Sequence, residues 1–255
     1  AFSNFLVPSG VVVRRRCFEE LGLFDHRFRA CEDRDMWLRI SQVYKIVGAP
    51  HALVYYRVHP NNMTKDLSRM ENARRGVCEK HFGEEAGDPI AWPDIRRRAY
   101  GGFYFRTALD HFLVGNHERG LQSLRRAFEI YPAISESMDT FYELSHAHQA
   151  PGIRGVSETL DIDQSEKFIF SSLDYVFNNP SGSMELQSRK KQSYARAHLA
   201  IGLLAYGNGE MGKARKHIIQ AIWLHPALIS YPHSLPTLFK SFIGRKLLIA
   251  LKKHG

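Results

Sequence analysis

Residues 29–40 read Arg-Ala-Cys-Glu-Asp-Arg-Asp-Met-Trp-Leu-Arg-Ile and set three carboxylates, Glu32, Asp33 and Asp35, around the start of an apolar-faced run. Acids at the beginning of a helix complement the positive end of its macrodipole and can accept bonds from its free N–H groups. The same field depresses a carboxylate pKa, so an acid held there is ionised at neutral pH and is a weak base. Helix capping alone is therefore one complete account of the cluster. Two Asp-x-Asp strings could suggest a cation site, Asp33-Arg-Asp35 and Asp161-Ile-Asp163. The second lies in a helical stretch, where Asp163 with Glu166 reads as a capping box for a helix running to Phe177.

These groups need elements to position them. Val11 to Val13 reads as a short buried strand, and the stretch after Arg15 as a short helix that Gly22 can end. Residues 25–33 are loop-like. From Arg34 onward Met36, Trp37, Ile40, Val43 and Tyr44 form a one-sided helical stripe, with Asp35 and Arg39 paired at i,i+4 on another face. Glu32 and Asp33 thus fall at a helix N-terminus. Residues 44–59 read as strand, Gly-Ala-Pro turn and strand, with Val54, Tyr56 and Val58 on one face and Tyr55, Arg57 and His59 on the other. A helix from about Lys65 to Phe82 follows, and the Gly, Pro and acid content of residues 83–94 marks a linker.

Beyond residue 95 the pattern turns helical and repeats itself. Residues 101–132 align without a gap on residues 195–226, sharing the glycine at 115 and 209, the alanine at 127 and 221, and the proline at 132 and 226. Small residues at Ala108 and Gly202, and at Gly120 and Ala214, stand where two antiparallel helices could approach closely, and the prolines end the second helix. This layout resembles the tetratricopeptide repeat. The 94-residue offset leaves room for an irregular helix pair at about 133–177, and residues 178–184 read as a loop.

The order of motifs in the first part resembles the second half of the catalytic domain of family 2 glycosyltransferases of the GT-A type. A strand and helix lead to Gly22-Leu-Phe-Asp25, then come Glu32-Asp33 and Asp35 to Arg39, and last Tyr56-Arg57-Val58-His59. The resemblance implies an α/β fold over residues 1–85, a linker at 86–94 and an all-α tetratricopeptide-like extension over 95–255. It also implies inverting transfer of a sugar from a nucleotide-sugar donor to a hydroxyl of a glycan or lipid-linked acceptor, in polysaccharide or glycoconjugate synthesis. In-line displacement needs a base for the acceptor proton. By this resemblance Asp33 is that general base and Glu32 orients the acceptor. Arg57 meets the donor diphosphate or pairs with an acid. His59 completes a Mg²⁺ or Mn²⁺ shell, touches phosphate, or is a strand-end histidine bonded to backbone. Neither Asp-x-Asp string follows the buried strand a donor site requires, and the nucleotide-binding half of that fold has no counterpart here. By this reading the chain is a piece of a longer transferase and is inactive alone.

Composition fits a globular protein: 255 residues, 44% apolar and 12% aromatic, with a formal charge of +9. Three cysteines, Cys17, Cys31 and Cys78, have no Cys-x-x-Cys spacing, so no disulfide framework or zinc site is expected and a reducing, cytoplasmic setting is. No apolar run reaches the length of about 18 residues that spans a bilayer. The sequence from Leu238 mixes Phe239, Phe242 and Ile243 with Lys240, Arg245, Lys246, Lys252 and Lys253. Such a basic amphipathic helix either caps the repeats or lies on an anionic membrane, which would place the chain at the inner membrane face. No nucleic-acid motif accompanies the charge, and Asn62-Met-Thr64 matches a glycosylation sequon that means little in a reducing compartment. The rival to the transferase is a non-enzymatic repeat scaffold that binds a protein partner and carries a degenerate transferase remnant.

Overall fold

The computed structural model of the chain describes residues 6–49, 51, 54–55, 66–149, 160–179 and 182–243. Among these, all regular structure is helical: eleven α-helices and several 3₁₀ turns, with no strand. The expected α/β architecture of a partial GT-A domain is therefore corrected to an all-α one. The reason is visible at Val11 to Arg14. Val11 and Arg14 have extended backbones, with φ −120°, ψ 136° and φ −69°, ψ 135°. Side chains alternate there, Val11 and Val13 half-buried, Val12 and Arg14 exposed. That is strand conformation with no ladder among the described residues. Similarly, residues 45–49, 51 and 54–55 hold no regular structure, and Val47 and Tyr55 stand exposed.

The chain divides into two compact units, residues 1–107 and 108–255. In the first unit, α1 (Arg15–Leu21) and α2 (Glu32–Val43) enclose a small core of Cys17, Met36, Trp37 and Ile40. Leu6, Val11, Val13, Phe24 and Tyr44 pack around it, and the Trp37 indole donates to the Leu6 carbonyl at 2.8 Å. Helix α3 (Leu67–Phe82) begins at Asp66, whose side chain accepts from the Arg69 N–H at 3.0 Å. The stretch read as a linker is ordered around Trp92, which is buried, donates to the Ala86 carbonyl at 2.9 Å and lies 5.3 Å from the Tyr100 ring. Helix α4 (Asp94–Leu113) contains the division between the units.

In the second unit the repeated sequence becomes repeated structure. The end of α4 turns into α5 (His117–Ile130), and α9 (Lys190–Gly207) turns into α10 (Met211–Leu224). Gly115 and Gly209 occupy the turns with φ +77° and +84°, a left-handed backbone that glycine adopts without a Cβ penalty. The bonds recur position for position. Asn116 N–H donates to the His111 carbonyl at 2.9 Å, and Glu210 N–H to the Ala205 carbonyl at 2.8 Å. Tyr131 N–H donates to the Ala127 carbonyl at 3.0 Å, and His225 N–H to the Ala221 carbonyl at 2.9 Å. Each hairpin then enters a 3₁₀ turn at its proline, Pro132–Glu136 or Pro226–Ser230.

Close approach explains the small residues. A Cβ on Gly202 would lie 2.7 Å from the Ile218 side chain and 3.2 Å from the Ala214 carbonyl; one on Gly120 would lie 2.3 Å from the Phe112 ring. The glycine thus sits in the first helix of one hairpin and in the second helix of the other. Between the hairpins, α6 (Met138–Ser145) and α7 (Ile162–Phe177) are joined by a Ser165 hydroxyl donating to the Ser145 carbonyl at 2.9 Å. A short α8 (Met184–Ser188) precedes α9, and α11 (Ser234–Ile243) packs on α10.

Candidate functional site

The first candidate is the acidic start of α2. Its cap is Cys31, which makes no side-chain cap bond and has a left-handed backbone, φ 59° and ψ 16°. A non-glycine residue there carries backbone strain, which proteins retain mostly where surrounding structure or function demands it. Glu32 and Asp33 follow in the first turn, both half-buried, and Asp33 Oδ1 accepts the Arg34 N–H at 2.7 Å. The acids therefore complement the dipole rather than cap the helix from outside it.

Asp35 behaves differently, and the sequence did not foretell it. The expected i,i+4 pair with Arg39 is present at 3.0 Å, but Asp35 is fully buried. Its other oxygen meets Lys80 Nζ at 2.6 Å and His81 Nε2 at 2.8 Å, both from the end of α3. Burial acts most strongly on its pKa and raises it, yet the bonds from Lys80 and His81 and the Arg39 charge together leave it lowered. Lys80 also reaches Asp25 at 2.9 Å, and Arg27 holds Asp25 at 2.7 Å, so that carboxyl is held far below its ordinary range. Arg39 closes the network by donating to the carbonyls of Leu21 at 2.5 Å and Leu23 at 2.8 Å. These groups saturate one another, so the arrangement fastens α1, α2 and α3 and leaves Asp35 unfit to hold a cation or take a proton.

Arg57 and His59, expected at the diphosphate and the metal, lie outside the described residues. Among the described residues no group of three or more His, Cys, Asp or Glu side chains is placed to hold a metal ion. Asp33-Arg-Asp35 does not fit Mg²⁺ or Mn²⁺, because Asp35 is already engaged by the Arg39 and Lys80 cations and by His81 Nε2. At the other Asp-x-Asp string it is Asp161 that caps α7, accepting the Gln164 N–H at 3.0 Å. Asp163 instead pairs with Lys213 at 2.7 Å, so the capping box expected of Asp163 and Glu166 is corrected by two residues. Helix α7 starts at Ile162, which puts Asp163 already inside its first turn.

A second cluster lies in the repeat unit and was not legible in the sequence. His198 on α9 and His217 on α10 face each other with their Nδ1 atoms 2.9 Å apart, and Glu166 on α7 lies 3.3 Å from His217 Nε2. The Phe170 ring covers His198 at 4.6 Å. Burial above all pushes His198 down to about 4, with His217 and Lys216 adding to it, and burial likewise lowers His217. Both imidazoles are neutral at pH 7, one Nδ1–H donating to the other Nδ1.

No family model, curated protein or solved structure matches this chain. With no strand among the described residues and no family match, the resemblance to GT-A transferases is withdrawn. No described helix is long and apolar enough to cross a membrane.

Proposed function

We propose that the chain is a helical-repeat interaction scaffold of tetratricopeptide-like layout, which offers stacked hairpins to a protein partner. The supporting observation is the recurrence of the same turn and bonds at Gly115 and Gly209, 94 residues apart, with a glycine at close approach in each hairpin, Gly120 and Gly202. Repeated hairpins of this kind build extended surfaces whose affinity lies in exposed side chains rather than in one deep pocket. Selection of displayed peptides against the full chain tests the reading. A micromolar ligand whose binding protects α7, α9 and α10 from hydrogen exchange is expected. No enriched ligand, or protection confined to residues 6–82, would remove the scaffold role from the repeats.

A second reading, sugar transfer from a nucleotide-sugar donor to an acceptor hydroxyl, is favoured by one observation. The strained Cys31 backbone directly precedes two partly accessible carboxylates, while the third is locked away. On this reading Asp33 takes the acceptor proton as the hydroxyl attacks, and Glu32 orients the acceptor. In a protein that carries this chain and turns over a nucleotide sugar, Asp33→Asn should lose about 10²- to 10⁴-fold in kcat. Glu32→Gln should lose less, and normal turnover in both variants would return the cluster to a helix start alone.

A further inference from the structure

The charge of the chain is concentrated at one end. Residues 211–255 contain eight Lys or Arg and no Asp or Glu, so they carry +8 of the chain's +9. The two described helices in that stretch, α10 and α11, also display large apolar groups. On α10, Lys216, Ile219 and Trp223 fall at i, i+3 and i+7, a single face, with Ile219 51% and Trp223 78% exposed. On α11, Phe239 and Phe242 at i,i+3 are each 65% exposed beside the exposed Lys240. Arg215 ties the two helices together, donating to the Ser241 carbonyl with its guanidinium 5.1 Å from the Phe242 ring. The acids that reach these cations come from outside the stretch, Asp163 and Glu210 at Lys213 and Glu166 at Lys216, so the segment keeps its cationic excess. Aromatic and aliphatic groups beside such an excess match the interface of an anionic bilayer. Aromatic rings enter the headgroup region while Lys and Arg stay at the phosphates.

We propose that the α10–α11 end of the repeat unit docks on anionic phospholipid, with Trp223, Phe239 and Phe242 entering the interface. A nucleic acid would answer the charge but not the exposed aliphatic and aromatic groups, which is why lipid is the favoured occupant. Each Lys or Arg brought to the surface raises vesicle affinity by about fivefold, so several such residues suffice for binding that salt reverses.

The three tryptophans supply the readout, because Trp37 and Trp92 are each 7% exposed and Trp223 is 78% exposed. The full chain is mixed with vesicles of phosphatidylcholine alone, or with about a third phosphatidylserine, a content chosen to give a strongly negative surface. Expected are sedimentation with the phosphatidylserine vesicles only, a blue shift of emission with protection from acrylamide, and loss of that shift in Trp223→Phe. Phe239→Ser combined with Phe242→Ser should weaken vesicle binding by about tenfold or more, since two buried aromatics exceed that on transfer scales. Its melting temperature should hold, because both rings are mostly exposed. The proposal is overturned by equal sedimentation with and without phosphatidylserine, or by sedimentation with no Trp223 shift. It is also overturned if a short duplex DNA or RNA outcompetes the vesicles while the double phenylalanine variant binds as the parent does.

Discussion

His198 and His217 hold their Nδ1 atoms 2.9 Å apart across the α9–α10 hairpin, a separation that two neutral imidazoles can share through one proton and two imidazolium ions cannot. Glu166 faces the pair from α7, Lys213 and Lys216 belong to α10, and Tyr194 lies along α9.

The first prediction is an acid sensitivity that starts well above the carboxylate range. His198 is lowered from 6.5 to about 4 and His217 is lowered too, so the unfolded chain binds these protons more readily than the folded one. The stability they contribute is fully present above about pH 6.5 and is lost as pH falls towards 4. For His198, which is partly screened by solvent, the loss is on the order of 1 to 2 kcal/mol. Melting curves between pH 7 and 4.5 should therefore fall more steeply in the parent than in His198→Gln. Asp25 and Asp35 have lowered values, so their contribution is lost only on descending below the ordinary carboxylate range near 3.8. Parallel curves for parent and variant between pH 7 and 4.5 would show that the pair does not titrate as described.

The hairpin crossing makes a second prediction. Gly202→Leu drives a side chain into Ile218 and the Ala214 carbonyl, and should cost about 1 to 3 kcal/mol or more, as overpacking does. Gly212, also helical, has nothing within 4 Å of its would-be Cβ. Gly212→Ala should thus be neutral or stabilise by about 0.5 to 1 kcal/mol through helix propensity. Denaturant midpoints for the two variants measure this directly, and similar midpoints would argue against a tight crossing at Gly202.

Cysteine chemistry gives a third. Cys78 is fully buried and burial pushes its thiol up to about 11, while Cys31 is half-buried and also raised. Thiol reagents should modify Cys78 only when α3 opens, so its labelling rate should rise with denaturant as unfolding does. Prompt labelling of Cys78 in native buffer would mean that the first unit opens far below its global transition.

The sequence carried the helical repeat well because its signals are local. A turn glycine, a terminal proline and small residues at fixed spacing act within one hairpin, and at Gly115, Pro132, Gly209 and Pro226 they do. The strand expected at Val11 to Val13 forms no ladder among the described residues for the opposite reason. Alternation at Val11 to Arg14 specifies extended backbone, yet a strand also needs a partner, and partnership is not written in the segment itself. Spacing pairs Asp35 with Arg39, four residues on, on a face other than the apolar stripe; Lys80 and His81 lie 45 and 46 residues away, beyond what spacing can reveal. His198 and His217 are illegible in the sequence for the same reason, since two histidines in two helices meet only once the hairpin closes.

The last prediction separates the two aspartates of the acidic motif. Asp35 is fully buried among Lys80, His81 and Arg39, so Asp35→Ala leaves cationic groups without their shared partner in a low-dielectric site. Removing one member of a buried ionic cluster costs about 3 to 5 kcal/mol. The Arg39 guanidinium would retain its carbonyl bonds at Leu21 and Leu23, so local unfolding should begin where α3 meets α2. Asp33, half-buried in the first turn of the same helix, offers the contrast. Asp33→Asn keeps side-chain size and an oxygen able to accept the Arg34 N–H, and should cost under about 1 kcal/mol through the helix dipole. Urea titrations of both variants, with hydrogen exchange on α2 and α3, make the comparison. A large loss for Asp35→Ala with faster exchange at the end of α3, beside a nearly unchanged Asp33→Asn, would fix Asp35 as the structural acid. The reverse order would mean that the stabilising network runs through Asp33 and that the buried assignment of Asp35 is mistaken.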